Sequence, residues 1–245
     1  MPVMTVGTGR ALIPTGINYN DLVMGTQPIA YWPQSESSGL VARCLTNPAM
    51  NGTYTGVTLA NDNTGPFGTP APWYDGATSF NNIYSVALAA AFNGLEGTAM
   101  IWARVHNAGV WTDAVLRSMV SLRADANNRA IIYKRNNVNQ RAWVYVAGAS
   151  GAVQGEIVVG APTGWICHVL TWSDTANAAY GYVDGPTVVA TLTPIGVWVG
   201  ALAAANTVIG ADTLAPGDVY HGWLGPCAVW NRVLLAAEIA TVALA

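Results

Sequence analysis

Short runs in which apolar and polar residues alternate fill most of the chain from residue 28 onward. Alternation with a period of two, rich in β-branched and aromatic residues, is typical of half-buried β-strands. Turn-forming pairs separate the runs, and we expect a tight hairpin at Asp184-Gly185 and further turns at Asn127-Asn128 and Asn136-Asn137. The clearest predicted strands cover residues 98–105, 115–123, 129–134, 141–147, 165–172, 179–183 and 187–192.

The two ends of the chain depart from this alternation. Residues 1–27 hold several glycines and no helical periodicity, which predicts an extended N-terminal arm before one domain of residues 28–245. Apolar residues near the C-terminus recur at near-helical spacing and predict a short helix: Leu234, Leu235, Ile239 and Val242. The predicted fold is all-β, a two-sheet antiparallel sandwich with an extended arm and a short C-terminal helix.

The amino-acid composition argues against some classes of function. Only 9% of the residues are charged, against about 25% in an average soluble protein, and 52% are hydrophobic. The net charge of −3 and a single small basic cluster offer no field suited to a phosphate backbone, so we expect no nucleic-acid partner. The charge-free stretch at 185–211 is interrupted by Pro and Gly, so no membrane-spanning helix is expected. A surface with so little charge suits burial against protein partners.

The N-terminus, the cysteines and the acidic residues add three further expectations. No early positive charge precedes an apolar stretch, so we expect no secretory signal and folding in a cytosol. Three cysteines, far apart and in no C-x-x-C pair, predict packed thiols without a disulfide or a zinc site. We predict no cofactor and no metal site. Calcium stays open, since Asp62 and Asp212 can contribute ligands, although turn formation explains both residues without an ion.

A series of ordered motifs between residues 28 and 242 carries a family resemblance. They include PIAYW at 28–32, NGTYTG at 51–56, YVDG at 182–185 and GWLG at 222–225. In this order they resemble the concanavalin A-like, laminin-G-like jelly-roll domains. The resemblance implies a jelly-roll sandwich, but that family includes lectins, glucanases, receptor modules and virus-particle proteins, so function must come from sites.

Within that family, the chain looks most like domains of tailed-bacteriophage particle proteins. The motifs that carry this narrower resemblance are WTD at 111–113, LRADANN at 122–128 and AG at 147–148. The resemblance implies a place in the virion, in the head or in the tail.

Residues suited to catalysis are sparse. Glycoside cleavage needs two carboxylates flanking the bond, and the glutamates form no Glu-x-Asp-x-x-Glu arrangement. A glycosidase built on Glu96 and a remote aspartate is the remaining enzymatic alternative. His106, His168 and His221 are far apart in the sequence and lie in no catalytic motif, and we expect His168 to be packed or hydrogen-bonded. We therefore predict that the protein is not an enzyme.

Glycan binding needs only an exposed aromatic ring and a few polar partners. Two predicted loops place an aromatic residue beside an acid, and their candidate ligand-binding residues are Trp73, Tyr74, Asp75, Trp111 and Asp113. Two alternatives remain open: Trp73 plugs an edge of the core, or Trp111 buries against a neighbouring subunit.

The leading hypothesis is a non-enzymatic bacteriophage virion structural protein, most simply a capsid decoration or tail-associated protein on the virion surface. It would bind other virion proteins through its low-charge surface and its arm, which either packs on its own domain or adds a strand to a neighbouring sheet. The alternative is a lectin-like adhesion module that binds glycans through loop aromatics. A homo-oligomer is expected, with a trimer as one form.

Overall fold

The computed structural model describes residues 18–62, 65–137, 140–148, 153–158 and 160–243. Three α-helices are present among them: α1 Tyr19–Gly25, α2 Val86–Ala91 and α3 Ala236–Ala243. The described strands are β1 Ala30–Trp32, β2 Val41–Ala42, β3 Gly52–Thr55, β4 Thr58–Asp62, β5 Ala71–Asp75, β6 Phe80–Asn82, β7 Glu96–Val105, β8 Arg117–Asp125, β9 Asn128–Lys134, β10 Gln140–Val146, β11 Val153–Val158, β12 Ile166–Ser173, β13 Ala178–Val183, β14 Val188–Leu192, β15 Val208–Ile209 and β16 His221–Trp230.

These strands form two antiparallel sheets, which we call sheet I and sheet II. Sheet I has the order β14-β13-β12-β7-β16-β5-β4, and β1 also pairs with β16. Sheet II has the order β11-β10-β9-β8-β15-β6-β3-β2. The two sheets stack face to face as a sandwich, so the predicted fold class is confirmed.

The space between the sheets is filled by large aromatic side chains. Trp172 of sheet I lies against Tyr145 of sheet II, with ring centroids 5.8 Å apart, and both rings are buried. Trp32 and Trp143 belong to the same buried cluster. Each of these residues alternates with residues that point to the opposite face of its strand, which is the pattern that predicted the sandwich.

A second core lies on the outer face of sheet I, under α1 and α3. Tyr19 joins these elements: its hydroxyl donates to the Val242 carbonyl of α3 at 2.7 Å and accepts from Trp102 Nε1 at 2.8 Å. Val23, one helical turn after Tyr19, is fully buried in the same cluster. The helices therefore cover one part of this face and leave the part near β5 uncovered.

The prediction of an extended arm is wrong for residues 19–25, which form α1. A helix of seven residues has too few positions to show a periodicity, and packing against α3 stabilises it instead. Asn18 caps this helix, and its side chain accepts a hydrogen bond from the Asn20 amide. Residues 1–17 of the predicted arm lie outside the described residues. The predicted C-terminal helix is confirmed as α3.

All seven predicted strands are present, with ends displaced by one or two residues. The hairpin at Asp184-Gly185 is longer than predicted, because β13 ends at Val183 and β14 begins at Val188. The Asp184 carboxylate accepts from the Cys167 amide of the neighbouring strand at 2.7 Å, which fixes this longer loop. Among the described residues, no helix is long and apolar enough to span a membrane.

Candidate functional site

The part of sheet I that the helices leave uncovered carries a group of aromatic and basic side chains. Strands β5, β16 and β7 are neighbours there, and Trp73 lies opposite Trp223, which lies opposite Arg104. Alternate residues of a strand share one face, so these three side chains point away from the core. With His106 and His221 they form what we call the aromatic platform. All five side chains keep part of their surface in solvent.

The rings of the platform are in mutual contact. Trp73 meets Trp223 edge-on, with centroids 4.6 Å apart, and the guanidinium of Arg104 lies 4.4 Å from the Trp223 ring. His106 and His221 stack with centroids 4.8 Å apart, and Trp73 meets both rings edge-on at 4.9 and 5.4 Å. Such contacts restrict ring motion, so the platform is held in place before any ligand arrives.

Hydrogen bonding and charge complete the description of the platform. Trp223 Nε1 donates to the side-chain oxygen of Asn61 at 3.1 Å, which fixes the ring plane from the β4 side. Burial lowers the pKa of His221, and the nearby charges of Arg117 and His106 lower it further. The His221 ring is therefore mainly neutral at pH 7, and Arg104 carries a permanent positive charge on the platform.

This arrangement is suited to binding rather than to chemistry. Partly exposed indole rings offer a flat apolar surface to the C–H face of a sugar, and neighbouring amide and guanidinium groups can bond its hydroxyls. Among the described residues, no group of three or more His, Cys, Asp or Glu side chains is placed to hold a metal ion. Asp212 lies 3.7 Å from the Arg123 guanidinium, and the side chain of Asp62 lies outside the described residues.

The structure places the candidate residues Trp73 and Tyr74 on opposite faces of β5. Trp73 is part of the platform, whereas Tyr74 points into the core and is 0% exposed. The Tyr74 hydroxyl donates to the Gln34 side chain at 2.8 Å, and burial raises its pKa well above the ordinary value. The prediction that Tyr74 contacts a ligand is therefore corrected, because neighbouring residues of one strand face opposite sides of the sheet.

Asp75 is exposed, but its carboxylate is engaged in the turn that follows β5. It accepts hydrogen bonds from the backbone amides of Ala77, Thr78 and Ser79 at 2.8 to 3.0 Å. Burial alone would raise the pKa of Asp75, but these three bonds outweigh it and hold the pKa well below the ordinary range. Its observed role is to anchor the turn beside the platform.

Trp111 is 2% exposed, so its ring has no face available for stacking on a sugar. It lies in a short 3₁₀ helix, Ala108–Trp111, and its Nε1 donates to the Pro162 carbonyl at 2.9 Å. The guanidinium of Arg141 lies 4.8 Å from the ring on the core side. Its own chain buries Trp111, and the prediction of a ligand contact is corrected here as well.

Asp113 accepts from Lys134 Nζ and from Arg117 Nη2, each at 2.6 Å. Burial would raise the pKa of Asp113, but the Lys134 ammonium, the Val115 amide and the Arg117 guanidinium together lower it. The carboxylate thus neutralises cations at one end of the sandwich. The five predicted residues do not form one site, and Trp73 alone among them lies in the platform.

Arg117 connects the Asp113 network to the platform. Its Nη1 donates to the Val219 carbonyl at 2.9 Å and lies 3.4 Å from the Gly76 carbonyl, in the turn after β5. Arg117 therefore braces both the turn beside Trp73 and the segment that leads into His221. It contacts the backbone around the platform rather than any exposed ligand surface.

Sequence reasoning missed four of the five platform residues. His106 and His221 are far apart in the sequence, as noted above, yet they stack in space because β7 pairs with β16. The available signals were Trp73 beside Asp75 in a predicted loop and Trp223 in the GWLG motif, but no single sequence shows that their strands are neighbours. The packing predicted for His168 is confirmed, since it is buried against Trp143.

No protein-family model and no curated protein matches the chain. Solved structures do match. The receptor-binding domain of a botulinum neurotoxin, mosaic serotype C/D, has a TM-score of 0.65 and 11% identity, over 89% of this chain and 50% of that one. The likeness is one of fold. The binding domains of botulinum neurotoxin serotypes D and C1 match in the same way, and this chain spans about half of the length of each.

Two carbohydrate-active proteins also share the architecture. Domain 4 of AbnA, an extracellular arabinanase of Geobacillus stearothermophilus solved with arabinotriose, has a TM-score of 0.62 at 13% identity, over 88% of this chain and 98% of that one. Trypanosoma rangeli sialidase, solved with the inhibitor DANA, has a TM-score of 0.60 at 13% identity, over 88% of this chain and 32% of that one. These matches agree with the predicted jelly-roll sandwich.

Proposed function

We propose that the protein is a lectin-like module that binds glycans on the aromatic platform without chemical turnover. The observation that carries the proposal is the row of Trp73, Trp223 and Arg104 across three neighbouring strands, each of which keeps part of its side chain in solvent. The architecture supports it, since one solved domain of the same fold was determined with an arabinose oligosaccharide bound.

The exposure of the platform is the physical reason to assign it a ligand. Tryptophan has a large apolar surface, and neighbouring tryptophans that keep part of their rings in solvent are typical of an interaction site. Elsewhere on the outer face of sheet I, α1 and α3 cover the aromatic residues, as they do for Trp102 and Trp230. The fold leaves Trp73 and Trp223 without such a cover.

The chemistry of the platform favours a neutral glycan. A sugar ring can lie on the indole of Trp223 or Trp73, where its C–H groups replace water against the aromatic face. Arg104, Asn61 and the neutral His221 then offer hydrogen bonds to hydroxyl groups at the rim. Arg104 is the only arginine or lysine of the platform, so its chemistry does not require a strongly acidic ligand.

A glycan array probed with the full chain tests the proposal. We expect wild-type protein to bind a defined set of oligosaccharides and Trp223→Ala to weaken that binding by about tenfold, which corresponds to ~1.4 kcal/mol, the upper part of the range for a contact with an aromatic ring. The matched control is Leu235→Ala, which removes an exposed apolar side chain at α3, away from the platform. Equal binding by both variants would refute the platform as the site.

The virion role remains a separate prediction that rests on the sequence resemblance. Glycan binding and attachment to a particle are compatible, because adhesion modules of virions need both. Quantitative mass spectrometry of purified particles tests it: a capsid-scale copy number supports decoration, and a few copies support the tail. If the protein is absent from purified particles, the virion role is wrong and glycan binding alone remains as the proposed function. The predicted homo-oligomer and virion-surface location depend on the same measurement.

A further inference from the structure

The outer face of sheet II, on the other side of the sandwich from the platform, carries a cavity of about 150 Å³. Its floor is formed by the buried side chains of Ile131, Tyr133 and Val144, which β9 and β10 present on the face away from the core. Concave sites lined by apolar side chains and a few polar groups are where small molecules typically bind. A volume of this size suits one small molecule, of about the dimensions of a single sugar ring.

The walls of the cavity carry charges of both signs. Arg123 lies directly opposite Arg129 on the β8–β9 pair, an arrangement that repulsion between like charges disfavours. Asp212, 3.7 Å from Arg123, offsets that repulsion, and Asp218 lines the same cavity. Two arginines and two aspartates thus meet around an apolar floor, which makes the cavity close to neutral.

Two polar groups of the cavity have no hydrogen-bond partner among the described residues. One is the hydroxyl of Ser118, a residue that is 0% exposed, and the other is Nε of Arg129. Buried polar groups in folded proteins are nearly always paired, so unpaired ones that line a cavity indicate a missing partner. A guanidinium N–H donates a hydrogen bond, and a hydroxyl can donate or accept one. A ligand that satisfies both groups therefore has a negatively charged acceptor and a second polar group near it.

The backbone at the rim is held in an unusual conformation. Asp218 has a φ of 51°, in the left-handed region, and its carbonyl accepts from the Ser118 amide at 2.6 Å. A non-glycine residue in this region carries strain, and such strain concentrates at functional sites. Here it places Asp218 beside Ser118 at the edge of the cavity.

We propose that this cavity binds a small organic monocarboxylate that also carries hydroxyl groups, such as a uronic acid. The carboxylate pairs with the guanidinium of Arg129, a hydroxyl bonds Ser118, and the carbon skeleton lies on Tyr133. The two aspartates disfavour a ligand with two negative charges, such as a phosphate monoester. The site is independent of the platform, since the two lie on the outer faces of different sheets.

Isothermal titration calorimetry of the full chain with D-glucuronate tests the proposal. D-glucose, which lacks the carboxylate, is the neutral control ligand. We expect saturable binding of glucuronate, at least tenfold weaker binding of glucose, and a loss of about tenfold or more in Arg129→Gln, the scale of a hydrogen bond to a charged group. Ser118→Ala should weaken binding severalfold, and Trp223→Ala should leave it unchanged. Thermal melting confirms that each variant is folded.

Three outcomes would overturn the proposal: glucuronate and glucose bind alike, neither binds, or Arg129→Gln binds glucuronate as well as wild type does. Loss of glucuronate binding in Trp223→Ala together with its retention in Arg129→Gln would place the acid on the platform instead. A parallel titration with a disaccharide that ends in glucuronate distinguishes the source of the ligand. If the disaccharide binds about as tightly as free glucuronate, the natural ligand is the end of a glycan. If the disaccharide binds much more weakly, the natural ligand is a free acid. Both results support the carboxylate site.

Discussion

The structure gives Asp113 a structural role, and the substitution Asp113→Asn tests it. Lys134 is 0% exposed and pairs with Asp113 at 2.6 Å, while Asp113 keeps 24% of its side chain in solvent. Removing one partner of a buried ion pair costs about 3–5 kcal/mol, because a buried charge is left uncompensated. Water at the exposed edge of Asp113 offsets part of this, so we expect a loss of about 3 kcal/mol.

Urea denaturation followed by circular dichroism gives the free energy of unfolding for this comparison. The matched control is Glu156→Gln, which breaks a more exposed pair with Arg135 and should cost about 0–1 kcal/mol. The double variant Asp113→Asn with Lys134→Met removes the uncompensated ammonium and should recover part of the loss. If Asp113→Asn costs no more than Glu156→Gln, the assignment of Asp113 to a buried ion network is wrong.

The pH dependence of stability provides a second check on the same residue. The pKa of Asp113 is lowered in the folded state, so its contribution is fully present above the unfolded pKa near 3.9. The contribution declines as the pH falls from there through the lowered folded pKa. The difference in unfolding free energy between wild type and Asp113→Asn should therefore be constant near neutral pH and shrink in acid. A difference that grows in acid would contradict this account.

Three further predictions concern the packing around the platform and the helices. Gly76→Ala should destabilise by about 1–3 kcal/mol in urea denaturation, since the added carbon would lie 2.9 Å from His221 at a φ of +77°; unchanged stability would contradict the close approach. Tyr19→Phe should lose about 1–2 kcal/mol in thermal melting, because its hydroxyl bonds both Val242 and Trp102; no loss would show that these bonds do not hold α1. Any pH dependence of glycan affinity that His221→Gln abolishes should have its midpoint below pH 6.5, the ordinary histidine value, because the pKa of His221 is lowered; a midpoint above pH 6.5 that His221→Gln abolishes would argue against it.

The sequence was sufficient for the sandwich because strand alternation is local. The run at 129–134 alternates between residues of the sandwich core and residues of the outer face, and the structure places it in β9. Helix α1 escaped prediction because its stability depends on contact with α3, more than two hundred residues away. Local pattern therefore predicted strands well and tertiary contacts poorly.

The site was harder to predict than the fold because accessibility depends on which strands pair. Trp73 and Tyr74 are adjacent in the sequence, yet one lies on the platform and the other in the core. Trp111 resembles a loop aromatic in the sequence, but its short helix turns the ring under Arg141. Trp223 becomes a partner of Trp73 through the pairing of β16 with β5, which no local motif records.

The indole N–H signals of the tryptophans in a two-dimensional NMR spectrum test the central claim most directly. An oligosaccharide identified on the array is titrated into the full chain, and each signal is assigned by a Trp→Phe variant. The account predicts that the signals of Trp73 and Trp223 shift in a saturable manner, while those of the buried Trp143 and Trp172 stay in place. Binding of the oligosaccharide with unshifted Trp73 and Trp223 signals would contradict the account.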